Sequence, residues 1–270
     1  MIANILSIAG SDPSGGAGIQ ADLKTFAAMG CHGMAALTAL TAQNTQGVSA
    51  VHVPPADFLT AQLDAIFADI RVDAVKIGML ATGEIVQAVA RSLARHGAKN
   101  IVLDPVLVAT SGDSLGAPDV VAALLEHLMP LASVITPNLP EAARLTGQPL
   151  PGSLAEMISA GEKLVALGAK AVLVKGGHLG DDSRLGDATA RDVLVTATRH
   201  RVYEAPRVAT KNTHGTGCTL SSAIAAALAQ GDGMEVAVER GKVFLTGALK
   251  ASGVLSVGKG HGPVWHFWMK

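Results

Sequence analysis

Short apolar, β-rich runs alternate with longer helical patterns along almost the whole chain, and no other feature narrows the fold as far. Candidate strands lie at 5–9, 35–41, 74–77, 101–103, 134–136 and 171–174. Helical patterns such as 19–29, 58–67, 84–96 and 155–167 separate them. Apolar strands that alternate with helices imply a mostly parallel sheet covered on both faces, an α/β architecture. The stretch 191–206 reads differently, as a β-hairpin with strands at 192–196 and 201–203 around a polar turn. No linker, charge run, low-complexity stretch or internal repeat divides the 270 residues, so one domain spanning 1–270 is expected.

Composition agrees with a packed domain. Hydrophobic residues make up 49% and charged residues 16%, ample for a core and contrary to disorder. With two Trp, one Tyr and five Phe, that core must be aliphatic. A formal charge of -1 offers no basic footprint for nucleic acid. No apolar run approaches the roughly 18 residues of a transmembrane helix. The richest, 120–135, is broken by Glu126, His127 and Pro130. Residues 1–10 carry no basic leader, so no signal peptide is expected. Cys31 and Cys218 do not make a disulfide framework, and no His/Cys cluster has zinc spacing. A soluble cytoplasmic protein is the expectation.

Residues 219–229 carry no charge on any face, which predicts a helix buried on all sides. His214, Gly215, Thr216, Gly217 and Cys218 precede it, and a glycine-rich turn at a helix N-terminus is a ready anion site. In open parallel sheets, ligands collect beyond the carboxyl ends of the strands. Gln43, Lys76, Asp104, Asn138 and Lys175 all fall there, after five different strands. Their convergence argues for an active site.

Each motif has two readings. The turn G-S-D-P-S-G-G-A-G at 10–18 contains a relaxed dinucleotide fingerprint, G-x-G-x-x-A, at 16–21. No Asp or Glu occurs between Asp22 and Asp57, so the ribose-binding acid is missing. No Gly-Lys-Ser/Thr follows the glycines either, so a Walker A loop fails. Asp22 lies on the inward stripe of its helix beside Ile19 and Phe26. It needs a partner there, either a ligand or the helix dipole. Asn138 and Glu141 form a capping box or stand near a hydrated magnesium ion. Lys175 reaches a phosphate across Gly176 and Gly177, or is a turn lysine. His178 and His214 receive no role. Cys218 is a thiol activated by the helix N-terminus or an inert packing residue.

Several long motifs, in order, resemble the hydroxymethylpyrimidine/phosphomethylpyrimidine kinase family of the ribokinase-like superfamily. They include A-G-S-D-P-S-G-G-A-G-I-Q-A-D-L-K-T-F at 9–26, A-Q-N-T at 42–45 and K-I-G-M-L at 76–80. T-P-N-L-P-E-A at 136–142, V-K-G-G-H at 174–178, K-N-T-H-G-T-G-C-T-L at 211–220 and G-K-G-H-G-P-V at 258–264 continue the match. The resemblance implies a three-layer α/β/α fold and two successive phosphorylations of 4-amino-5-hydroxymethyl-2-methylpyrimidine, using ATP and Mg2+. It implies that Gly10, Asp22, Gln43 and Met79 line the pyrimidine pocket. Asp104, Asn138, Glu141 and Lys175 would serve the nucleotide phosphates, with Asp104 and Glu141 on magnesium. Gly215, Thr216 and Gly217 would form an anion hole. Cys218 would stand where many other superfamily members carry a catalytic Asp, and as thiolate could accept the hydroxyl proton. A homodimer is also implied. Pyridoxal kinase and a non-catalytic pyrimidine sensor are the alternatives. The Gln43 amide favours an aminopyrimidine edge, and the retained phosphate residues argue against the sensor.

Overall fold

A computed structural model describes residues 1–107, 119–177 and 188–269. His178 lies outside the described residues. The strands are β1 (Asn4–Ser11), β2 (His32–Asn44), β3 (Gly47–His52), β4 (Ala74–Ile77), β5 (Ile101–Leu103), β6 (Val134–Ile135), β7 (Ala171–Gly176), β8 (Thr189–Thr196) and β9 (His200–Pro206). The helices are α1 (Gly18–Ala28), α2 (Ala56–Asp69), α3 (Gly83–Arg95), α4 (Val120–Ala123), α5 (Leu139–Thr146), α6 (Leu154–Ala166), α7 (Thr216–Ala229) and α8 (Met234–Lys250). α4 runs on as a π turn over Leu124–Leu128.

Among the described residues, nine strands form one sheet in the order β3-β2-β1-β4-β5-β6-β7-β8-β9. The six strands from β2 to β7 pair in parallel, and β3, β8 and β9 add antiparallel edges. The 192–196/201–203 hairpin is thus present and longer than the sequence suggests. β3 is new. Its Ser49 to His52 are exposed, so it lacks the apolar signal that marks the inner strands.

Side-chain alternation divides the core. Leu6, Ile8, Ile101, Leu103 and Ile135 pack with α2, α3, α4, α5 and α6 on one face. Ile5, Ala74, Val102, Val134 and Leu173 pack with α1, α7 and α8 on the other. This is the three-layer α/β/α arrangement. Helix α7 is buried at every position from Thr219 to Leu228, as its uncharged sequence predicts. It begins three residues earlier than expected, because Gly215 in a left-handed conformation (φ 77°) serves as its N-cap. Among the described residues, no helix is long and apolar enough to cross a membrane.

Candidate active site

The carboxyl ends of the parallel strands meet the start of α7. The same alternation that sorts the core aims Ser7, Lys76, Asp104 and Thr136 at the α7 face, where the helix answers with Ser221 and Ser222.

Asp104, just beyond β5, is almost fully buried. Its Oδ1 accepts from Lys175 Nζ at 2.7 Å and from Thr136 Oγ1 at 3.0 Å. Ser221 Oγ lies 3.3 Å from its Oδ2. Burial alone would raise the Asp104 pKa, but the Lys175 and Lys76 ammoniums outweigh it and hold the carboxylate ionised. Lys175 is likewise kept charged: burial works against the ammonium, and Asp104 and Glu141 overcome it. A side-chain carbon at Gly217 would come within 3.2 Å of Lys175 Nζ and 3.5 Å of Asp104 Oδ2, so the pair lies directly beneath the turn. Thr216 N turns back to the Thr213 carbonyl at 3.4 Å and the first in-helix bond runs from Thr219 N to Gly215 O at 2.9 Å, which leaves the amides of Gly217 and Cys218 between them. These free donors over a lysine form an anion seat.

Asn138 and Glu141 make the full capping box. Glu141 N donates to Asn138 Oδ1 at 2.9 Å, and Asn138 N donates to Glu141 Oε2 at 2.8 Å. Glu141 is also buried, and its carboxyl is pushed up to about 7, first by burial and further by Asp104, against the pull of Lys175. A capping residue alone gains nothing from sitting there. Two buried carboxyls facing the anion seat form an oxygen-only donor set with few protein ligands, which suits magnesium retaining its own water. Among the described residues no group of three or more acidic, His or Cys side chains could hold a metal without such help.

On the other side of the turn, Gln43 lies one residue before the end of β2 and points at His214. Met79 follows β4, and its sulfur lies 3.4 Å from where a side chain at Gly10 would begin. Asp12 ties the first loop together. It accepts from the backbone of Ser14, Gly16 and Ala17 and from His214 Nε2 at 2.8 Å. Burial opposes its charge, yet His214 and the other donors hold its pKa at about 2. Side-chain carbons at Gly16 or Gly215 would overlap His214 and the Gly16 carbonyl, so the two glycine turns are in contact. Neither Asp12 nor His214 carries a role in the sequence reading. Their one signal was an acid and a histidine inside two glycine turns.

Two residues meet surroundings that differ from the roles the resemblance implies. Asp22 does not line a pocket with a free oxygen: it is fully buried, and Ser7 Oγ (2.6 Å), Ser222 Oγ (2.7 Å) and Lys76 Nζ (2.9 Å) take both of its oxygens. Its required partner is Lys76, also fully buried, whose charge Asp22 maintains against desolvation. Cys218 is not an activated thiol in this structure. Burial pushes it up to about 11, which outweighs the lowering by Lys76 and the Gly18 backbone N–H.

Three comparisons place this arrangement among known proteins. The profile of the family described as Phosphomethylpyrimidine kinase matches residues 12–265. A hydroxymethylpyrimidine/phosphomethylpyrimidine kinase of Salmonella typhimurium is 52% identical over 98% of this chain and 97% of its own. One from Rhizobium meliloti is 52% identical over 100% of both. The solved ADP complex of Bacillus subtilis pyridoxal kinase superposes with a TM-score of 0.89 at 39% identity, covering 100% of this chain and 99% of that one.

Proposed function

This chain belongs to the phosphomethylpyrimidine kinase family, and we propose that it moves the γ-phosphoryl group of ATP onto 4-amino-5-hydroxymethyl-2-methylpyrimidine, then onto the resulting monophosphate. The observation that carries the reading is the Lys175–Asp104 pair beneath the Gly215 to Gly217 turn, at the end of the sheet where Gln43 also arrives. Phosphoryl transfer has a loose transition state, so positioning and charge stabilisation dominate. Lys175 and the amides of the turn bind the migrating phosphoryl oxygens. Asn138 fixes the start of α5 so that Glu141 faces the same space. Asp104 and Glu141 would hold magnesium, which supplies charge neutralisation of the leaving diphosphate when bound. Gln43, Met79 and Gly10 take the pyrimidine, and Asp22 supports that wall from behind through Lys76. In the same reading the protein is a cytoplasmic, single-domain homodimer.

Purified protein with ATP and magnesium should convert the pyrimidine to its monophosphate and then its diphosphate, followed by phosphorus NMR. Pyridoxal is the second substrate to offer, because the scaffold is shared with a pyridoxal kinase. Turnover of pyridoxal with none of the pyrimidine overturns the reading, and no turnover of either favours a sensor.

Glu141→Gln separates cap from metal site, since Gln also closes a capping box. The magnesium dependence of turnover should move to higher concentration. Stability gives a second readout. A buried carboxyl with a raised pKa stabilises the fold below its unfolded value, and that share is lost as pH rises through about 7. The magnesium-free parent should therefore lose thermal midpoint between pH 5 and pH 8, measured by calorimetry, relative to the Gln variant. Overlapping magnesium titrations would leave Glu141 as a cap only.

A further inference from the structure

We propose that Thr41 and His214 fix the orientation of the Gln43 amide, and so decide which edge of a heteroaromatic ring the pocket accepts. The inference rests on the pyrimidine reading above.

Asp12 is an ionised carboxylate and can only accept, so His214 Nε2, 2.8 Å away, carries a hydrogen towards it. That same Nε2 lies 3.5 Å from Gln43 Nε2, an arrangement that sets donor against donor. Thr41 Oγ1 has one hydrogen and two acceptors in reach, the Ser11 carbonyl at 2.9 Å and Gln43 Oε1 at 3.0 Å. A half-turn of the Gln43 amide resolves both conflicts. Its NH2 then donates to Thr41, whose own hydrogen goes to Ser11, and its carbonyl oxygen, in place of a second donor, lies beside the His214 Nε2 whose hydrogen is held by Asp12. Amide nitrogen and oxygen occupy nearly identical shapes, so the surrounding donors decide between them.

The register of β2 shifts between Ala42 and Gln43, and there the Thr41 hydroxyl and the Gln43 amide come within 3.0 Å of each other. With one amide hydrogen spent on Thr41, Gln43 offers a ligand one N–H and one lone pair in a fixed order. That order suits a ring nitrogen beside an exocyclic amine, the edge of an aminopyrimidine. A ring without the amine meets only half of the pair. Thr41 and His214 are therefore positioning residues for specificity.

Thr41→Val keeps the shape and removes the acceptor. Calorimetric binding of the hydroxymethylpyrimidine, without nucleotide, should weaken about 5–30-fold, the loss of one hydrogen bond at a partly buried site. The KM for ATP and the saturating rate should hold. Pyridoxal affinity should not change, so discrimination falls by the same factor. Thr41→Ser should restore pyrimidine binding. His214→Phe, which keeps a ring but loses the N–H, should shift discrimination in the same direction. Equal pyrimidine affinity in parent and Thr41→Val, or equal losses for both rings, would overturn the inference. A parent that fails to phosphorylate the pyrimidine sinks the substrate assignment instead. A parent that does so, with Thr41→Val matching it, sinks only this proposal.

Discussion

Replacing Lys76 with Met should destabilise the fold by about 3–5 kcal/mol, because it strands the Asp22 carboxylate in the interior. Lys76 and Asp22 are both fully buried, with Nζ 2.9 Å from each carboxylate oxygen. Ser7 and Ser222 complete the cage, so one carboxylate joins β1, β4, α1 and α7. At roughly 2–4 °C per kcal/mol, the thermal midpoint should fall by about 6–20 °C. The double variant Asp22→Asn/Lys76→Met separates the pair from the charge it would leave behind. Asn keeps a polar contact to Ser7 and Ser222 without a net charge, so the double variant should regain most of the loss. Two single variants whose effects merely add in the double would show that the ions are not coupled. Pyrimidine affinity should fall in Lys76→Met, since Asp22 holds α1 behind the glycine loop.

How far the site was legible follows from what each residue needs. Asp22 declared itself as an inward carboxylate in need of a partner, because the 100° step places it beside Ile19 and Phe26. Nothing in the chain could say that the partner lies 54 residues on, at the inner position of β4. Only the sheet register, Ser7 opposite Lys76, brings the two together. The strands β1, β4, β5 and β7 were readable because burial on both faces forces an apolar run. β3 was not, since it pairs on one side only and presents Ala50, Val51 and His52 to solvent. The α7 helix was plain from its lack of charge, yet its two serines, Ser221 and Ser222, passed unremarked. A hydroxyl on a fully buried helix must find a partner, and these find Asp104 and Asp22. That was the available signal. The link from Asp12 to His214 spans 202 residues and leaves no trace in local pattern.

Measured near pH 10, Cys218→Ala should reduce the catalytic rate by about 10²–10⁴-fold if the sulfur accepts the substrate's proton, with pyrimidine binding near that of the parent. The structure changes the pH dependence expected of such a base. Burial is the largest influence on the thiol, and it raises the pKa to about 11 despite Lys76 and the Gly18 amide. At pH 7 the sulfur is therefore protonated and cannot accept a second hydrogen. The active fraction of a base rises with pH until its pKa is passed. The parent's rate should accordingly climb about tenfold per unit between pH 7 and pH 10. Cys218→Asp places a carboxylate, ionised across that range, above the same helix terminus. It should recover part of the rate lost in Cys218→Ala and give a flat profile over those pH units. Direct alkylation of Cys218 by iodoacetamide, in a Cys31→Ala background, should follow the same rising curve. A parent profile that is flat from pH 7 to pH 10, together with full activity in Cys218→Ala, would remove the thiol from the chemistry. The anion seat of Lys175 and the Gly217 and Cys218 amides would then carry the transfer alone, as a loose transition state permits.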